Sequence, residues 1–163
     1  MSNRLSSRLR QRRSGQRGFS LIELLIVIAI ILIILSFGVP QYNKVRMNAQ
    51  ETGAIQAIST INKVEVQYYS QFNGYGTLAQ LGPPSAGAAE GPASAGLIAG
   101  SLASGTNGGY NFTVTLTSGG YAVSAVPKAF NSTGRRTFYS DQSGIVRQNW
   151  SADPATERSE EIR

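Results

Sequence analysis

The residue of this chain best placed to do chemistry is Glu23, a lone carboxylate inside an apolar run. From Phe19 to Val39 only Ser20, Glu23 and Ser36 have polar side chains. A charged carboxylate costs about 2.5–3.5 kcal/mol at the centre of a membrane-spanning helix, and less near its end. Glu23 could therefore pair with a cation inside the membrane. Alternatively, it could lie at headgroup level in the first helical turn and interact favourably with the helix dipole.

The rest of the sequence offers little for catalysis or metal binding. Histidine and cysteine are both absent, which removes the commonest general base and metal ligand, and no convergent pair of carboxylates stands out. Asp141 has only Asp153 as a nearby aspartate, whereas calcium takes six to eight oxygen ligands. Asp-x-x-Gly at residues 141–144 is typical of a type I turn. We predict no catalytic site, no cofactor and no metal, with a calcium site at Asp141 as the alternative to a turn.

The positive charge of the chain is concentrated at its N-terminus. The formal net charge is +6, from 15 basic and 9 acidic residues. Residues 1–18 contain no acid and six arginines: Arg4, Arg8, Arg10, Arg12, Arg13 and Arg17. The remainder therefore has nine basic and nine acidic residues. A basic block of this kind stays cytoplasmic and directs the C-terminal part across the membrane. No basic patch remains that would indicate nucleic-acid binding.

The apolar run from Phe19 to Val39 is long enough to cross a membrane. A helix of 21 residues spans roughly 30 Å, the thickness of the hydrocarbon core of a bilayer. A conventional secretory signal would be cut after the apolar run, and Ser36-Phe37-Gly38 has small residues in suitable places. Such a cut would leave Val39 as the first residue. Pro40 directly after that position and the length of the run favour retention of the segment.

The stretch Arg17-Gly18-Phe19-Ser20-Leu21-Ile22-Glu23-Leu24 resembles the signal of type IV prepilins and related pseudopilins. This resemblance implies that a prepilin peptidase cuts between Gly18 and Phe19 on the cytoplasmic side and N-methylates Phe19. It implies that Glu23 pairs with the N-terminal amine of a neighbouring subunit. It also implies that Pro40 is the proline that kinks the helix. The absence of cysteine departs from the many type IV pilins that close their C-terminal region with a disulfide.

The resemblance implies a structural subunit of a type IV pilus, not an enzyme. Its partners would be copies of itself in a helical filament, the prepilin peptidase, the pilus assembly machinery and the inner membrane. The precursor would cross the bacterial inner membrane once with its C-terminus outside, and the mature chain would join an extracellular fibre. A pseudopilin of a type II secretion system is the nearest alternative. A monomeric secreted or membrane-tethered binding domain, cut at Gly38 or not at all, is an alternative from another class.

After Pro40 the sequence predicts a helix that continues to about Phe72. Apolar residues recur at helical spacing on one face of it, and Glu65 falls within this stripe without an explanation from sequence. The stripe consists of Met47, Ala54, Ile58, Ile61, Val64, Tyr68 and Phe72. Residues 73–109 are rich in Gly and Pro and predict a long loop. We expect Leu78 and Leu81 to pack back onto the helix, and Leu97, Ile98 and Leu102 are candidates for a short helical turn.

From Tyr110 the apolar residues alternate with polar ones, which predicts strands with one buried face. We expect strands at Tyr110–Thr117, Tyr121–Val126, Arg136–Ser140 and Ile145–Gln148, and a polar, frayed tail at residues 151–163. The predicted fold is therefore α+β, with the second half of a long helix packed on a four-stranded antiparallel sheet, as in pilins. The predicted segments are a removable leader (1–18), a membrane-spanning or fibre-core helix (19–39), an amphipathic helix (40–72), a loop (73–109), a sheet (110–150) and a tail (151–163).

Overall fold

The computed structural model describes residues 18–162, so residues 1–17 of the predicted leader, with all six of its arginines, lie outside the described part. The first and longest element is helix α1, Leu21–Phe72. The chain divides into two compact units between Val39 and Pro40, and residues of α1 belong to both. Each unit is described separately below.

The N-terminal unit contributes the apolar part of α1. Leucine and isoleucine dominate it, and both pack well along a helix, although isoleucine has a slightly lower intrinsic helix propensity. Apolar residues here occupy every face of the helix, in contrast to the single stripe of an amphipathic one. Over the described residues of this unit the large apolar side chains are exposed. This part of α1 therefore has no hydrophobic core of its own within the chain.

The C-terminal unit holds a sheet of six antiparallel strands in sequence order. The strands are β1 (Thr106–Asn107), β2 (Tyr110–Thr117), β3 (Gly120–Pro127), β4 (Thr137–Asp141), β5 (Arg147–Asn149) and β6 (Glu160–Glu161). The longest pairing joins β2 to β3, with Val114 opposite Val123 and Thr117 opposite Gly120. Ser118 and Gly119 form the two-residue turn between them, and Gly119 has a φ of 91°, which glycine adopts without steric cost.

The prediction of four strands is wrong by two. The strands β1 and β6 fall in segments that the sequence assigns to the loop 73–109 and to the frayed tail. Each has only two residues, too few to show an alternating pattern, and each is held by backbone pairing to its neighbour, as in Gln148 opposite Glu160. The tail is further fixed by the buried side chain of Ala155 and by Ile162, which packs against the core.

The core of this unit lies between the second half of α1 and the inner face of the sheet, which confirms the α+β prediction. Six members of the predicted helical stripe are buried, and Phe72 is half-buried against them. All of them except Met47 belong to one cluster with six side chains from the sheet: Tyr110, Phe112, Tyr121, Val123, Ala125 and Phe138. Two short helices in the preceding segment, α2 (Leu78–Leu81) and α3 (Gly100–Ala103), contribute Leu78, Leu81 and Leu102 to the same cluster.

Candidate functional site

The start of α1 is organised by a hydrogen bond between Ser20 and Glu23. The backbone N–H of Ser20 donates to Oε2 of Glu23 at 2.8 Å, and the N–H of Leu24 donates to the Ser20 carbonyl at 3.2 Å. A helix leaves its first N–H groups without partners, and a glutamate three residues after the cap satisfies one of them. Glu23 therefore lies in the first helical turn, a position that is compatible with both roles considered from sequence.

Gly18 and Phe19 precede this turn and are both exposed. The Phe19 side chain is 80% accessible. A Cβ added at Gly18 would meet no atom within 4 Å, and Gly18 is not among the glycines with positive φ. Nothing in the described fold therefore requires a glycine at position 18.

The apolar surface of α1 begins at the same place. Large hydrophobic side chains between residues 19 and 37 are all about half exposed or more, among them Ile22, Leu25, Ile30 and Phe37. By length and composition, α1 contains a segment that is apolar enough to cross a membrane. The mean hydropathy of this segment is 3.1, and none of it is buried. The exposed N-terminal end of this apolar segment thus carries Glu23 in its first turn, and Gly18 and Phe19 lie directly before it.

The family of the N-terminal segment follows from comparison with known proteins. Residues 13–39 match the model of the prokaryotic N-terminal methylation motif. The chain carries the type IV pilin and pseudopilin signal. The match covers only the N-terminal segment, and neither curated proteins nor solved structures match the chain. The signal is that of a family of structural subunits and confirms the resemblance found in the sequence. The cut at Gly18, the methylation of Phe19 and the roles of Glu23 and Pro40 stay predictions.

Pro40 lies one residue beyond the matched pilin signal, within the bounds of α1. Its side chain lies outside the described residues. The structure assigns helix at position 40. The kink at Pro40 stays an expectation from the resemblance.

Downstream of the pilin signal, α1 is joined to the sheet by a buried ion pair that was not predicted from the sequence. Glu51 is buried, and its Oε2 accepts from Nε and Nη2 of Arg136, both at 2.8 Å. Its Oε1 accepts from the backbone N–H of Arg135 at 2.7 Å. Nη1 of Arg136 donates to Oε1 of Gln148 at 2.8 Å. Both oxygens of the buried carboxylate are therefore satisfied, as a buried charge requires.

A second buried carboxylate, that of Glu65, is only half satisfied. Its side chain is completely buried, and Oε2 accepts from the Gly76 N–H at 2.9 Å. Oε1 has no hydrogen-bond partner among the described residues. Burial raises the pKa of the Glu65 carboxyl from 4.5 to about 7, and the hydrogen bond from Gly76 lowers this pKa by less. The signal for this residue was visible in the sequence as a charge within an apolar stripe.

Asp141 makes the contacts of a turn. The N–H of Ser143 donates to its Oδ1 at 2.9 Å, and the N–H of Gly144 donates to its carbonyl at 2.9 Å. Gly144 has a φ of 74°, a conformation that favours glycine. Within residues 18–162 there is no group of three or more acidic, histidine or cysteine side chains that could hold a metal ion. The observed geometry is that of the predicted turn between β4 and β5.

Proposed function

We propose that this chain is a structural subunit of a type IV pilus, cut between Gly18 and Phe19, methylated at Phe19 and polymerised through α1. One observation supports the proposal above all. The methylation motif at residues 13–39 overlaps the first part of α1, and the large apolar side chains from Phe19 to Phe37 are exposed. The processing signal and the apolar surface that would serve in assembly therefore occupy the same segment of the chain.

The apolar surface explains why the segment needs a membrane first and copies of itself later. Removing one large apolar side chain from water is favourable by about 1.5–3 kcal/mol. Summed over residues 19–37, exposure to water would cost on the order of tens of kcal/mol. In the precursor the lipid would cover this surface. In a filament the same helices from neighbouring subunits would cover it, and head-to-tail contacts that do not close would extend the fibre.

The orientation of the precursor would follow from its leader. The arginines of residues 1–18 would stay in the cytoplasm, where the peptidase would act. The unit from Pro40 onward would lie on the far side of the inner membrane. Besides the peptidase, the subunit would require the pilus assembly machinery to leave the lipid. After assembly, the C-terminal unit would lie on the outside of an extracellular fibre.

Glu23 would guide the docking of each subunit. Cleavage after Gly18 would create an amine on Phe19, next to the Ser20 N–H that already donates to Glu23. The amine of one subunit and the Glu23 carboxylate of its neighbour would each offset the desolvation of the other if their geometry is good. A hydrogen bond to a charged group contributes about 1.5–3 kcal/mol, which at every subunit contact is enough to favour assembly.

The test compares Glu23→Ala with Glu157→Ala in native cells that lack the wild-type chain. Glu157 is exposed and lies outside the signal, so its variant controls for the loss of one carboxylate. We expect both variants to be cut after Gly18, while fibres seen by electron microscopy fall at least about tenfold with Glu23→Ala alone. Glu23→Gln should behave like Glu23→Ala, because the amide keeps the shape and removes the charge.

Three outcomes would count against the proposal. Normal fibres from Glu23→Ala would remove the charge-pairing role. A wild-type chain that is cut but forms no long surface fibres, and whose deletion blocks protein secretion, would indicate a pseudopilin of a type II secretion system. A chain that is never cut and stays monomeric would indicate a membrane-tethered domain.

A further inference from the structure

The unpaired oxygen of Glu65 lies at a place where the chain turns. Asn73 has a φ of 54° and follows α1 directly, and the chain reaches Gly76 three residues later. The N–H of Gly76 donates to Oε2 of Glu65 at 2.9 Å, in a buried position. Oε1 of the same carboxyl is buried without a hydrogen-bond partner among residues 18–162. One carboxyl oxygen therefore holds the turn formed by residues 73–76, and the other makes no hydrogen bond to residues 18–162.

No donor among residues 18–162 reaches Oε1 of Glu65, and its pKa shift has no contribution from a nearby positive charge. Tyr121 of β3 lies near enough for the Glu65 charge to raise the pKa of its phenol. The single O–H of Tyr121 is already donated to Oδ1 of Asn62 at 3.1 Å. The Tyr75 ring contacts the Tyr121 ring in a tilted arrangement, with 4.9 Å between centroids, and the negative charge of Asp141 also raises the pKa of Tyr121. Neither of the two ion pairs of the described residues includes Glu65.

The turn is pressed closely onto the helix that carries Glu65. A Cβ added at Gly76 would lie 3.2 Å from the Leu81 side chain and 3.3 Å from the Tyr68 ring. Thr77 follows at once and caps α2 together with Gln80. Oε1 of Glu65 therefore has no contact with solvent while the turn is closed. Solvation of an ionised Glu65 requires the turn to move away from α1.

We propose that the 73–76 turn is a pH-responsive element of the fold, which is closed over Glu65 when this carboxyl is neutral and opens as the carboxyl ionises. A buried carboxylate with one N–H donor and no cation is costly. The neutral acid keeps its hydrogen bond to Gly76 without that cost. The open form lets water solvate both oxygens, so it is favoured by the charged state.

The direction of the pH dependence follows from linkage. The pKa of Glu65 is about 7 in the closed form and has its ordinary value of 4.5 when the carboxyl is solvated. The stability of the closed turn is therefore fully present below about pH 4.5 and is lost as the pH rises to about 7. Opening increases by up to tenfold for each pH unit in that window, and it levels off above pH 7.

Hydrogen exchange of backbone amides in the full chain in detergent micelles tests the proposal between pH 4.5 and pH 8. After correction for the intrinsic pH dependence of exchange, the protection of the Gly76 amide should fall by about a hundredfold across the window. The Lys128 amide donates to the Gly109 carbonyl at 2.8 Å, away from the turn, and should keep constant protection. In Glu65→Gln the amide oxygen can still accept from Gly76, so the protection of Gly76 should no longer depend on pH.

The comparison of two amides in the wild-type chain decides the matter even if the Glu65→Gln variant fails to fold. Protection of Gly76 that stays constant from pH 4.5 to pH 8 would overturn the proposal. Equal losses of protection at Gly76 and Lys128 would overturn it too, since they would indicate unfolding of the whole unit. The experiment uses the uncut precursor and needs no fibres, so its outcome is independent of the function proposed above.

Discussion

The Glu51 carboxylate in α1 forms an ion pair with the Arg136 guanidinium next to β4, with 2.8 Å between Oε2 and Nη2. The two residues are 85 positions apart in the sequence. The guanidinium also lies over the rings of Phe138 and Trp150, at 5.3 and 5.0 Å from their centroids. One arginine therefore joins the helix, the sheet and the only tryptophan of the chain.

Removing the acid of this pair should destabilise the C-terminal unit strongly. Glu51→Ala leaves Arg136 without its carboxylate and the Arg135 N–H without its acceptor, and breaking a buried pair in this way costs about 3–5 kcal/mol. Because Arg136 is partly accessible to water, we expect the free energy of unfolding to fall by about 3 kcal/mol. Urea unfolding of the full chain in micelles, followed by Trp150 fluorescence, measures this loss.

The double variant Glu51→Ala/Arg136→Ala supplies the control for that experiment. Removal of both charges should recover part of the lost stability, because no uncompensated charge stays buried. A loss below about 0.5 kcal/mol for Glu51→Ala alone, which is typical of an exposed pair, would contradict the structural role given to this contact.

Two glycine substitutions should shift the free energy of unfolding in opposite directions. A Cβ at Gly134 would overlap the hydroxyl of Tyr110, which donates to the Arg136 carbonyl at 2.8 Å. Such overpacking destabilises by about 1–3 kcal/mol, so Gly134→Ala should destabilise. Gly53 lies inside α1 with no atom within 4 Å of an added Cβ. Gly53→Ala should therefore stabilise the unit by about 0.5–1 kcal/mol.

The same urea titration measures both glycine variants, and each is a control for the other. Unchanged stability for Gly134→Ala would show that the packing at Gly134 is not as close as described. An increase in stability for Gly134→Ala would lead to the same conclusion.

The sequence predicted those parts of the fold that carry a long periodic pattern. The apolar stripe from Met47 to Phe72 predicted the buried face of α1, and the alternation that begins at Tyr110 predicted β2. The two-residue strands β1 and β6 could not be predicted, because two residues define no period and each strand depends on pairing to a neighbouring strand. Elements of this length exist only as additions to a sheet that is already formed.

The candidate site divides in the same way. The pilin signal is local, so the resemblance could assign predicted roles to Gly18, Phe19 and Glu23 from one short stretch of sequence. The pairing of Glu51 with Arg136 depends on two side chains brought together only by the packing of α1 on the sheet, and no local spacing indicates it. Glu65 is intermediate, since its position in an apolar stripe was visible but its partner, the Gly76 N–H, depends on the path of the turn.

The N-terminus of the chain purified from native cells tests the central proposal most directly. Intact-mass and fragment-ion mass spectrometry would identify the first residue and any methyl group on it. We predict a chain that begins at N-methylated Phe19, with residues 1–18 removed. A chain that begins at Val39, or one that keeps Met1 and its leader, would contradict the proposed processing and with it the assembly through α1.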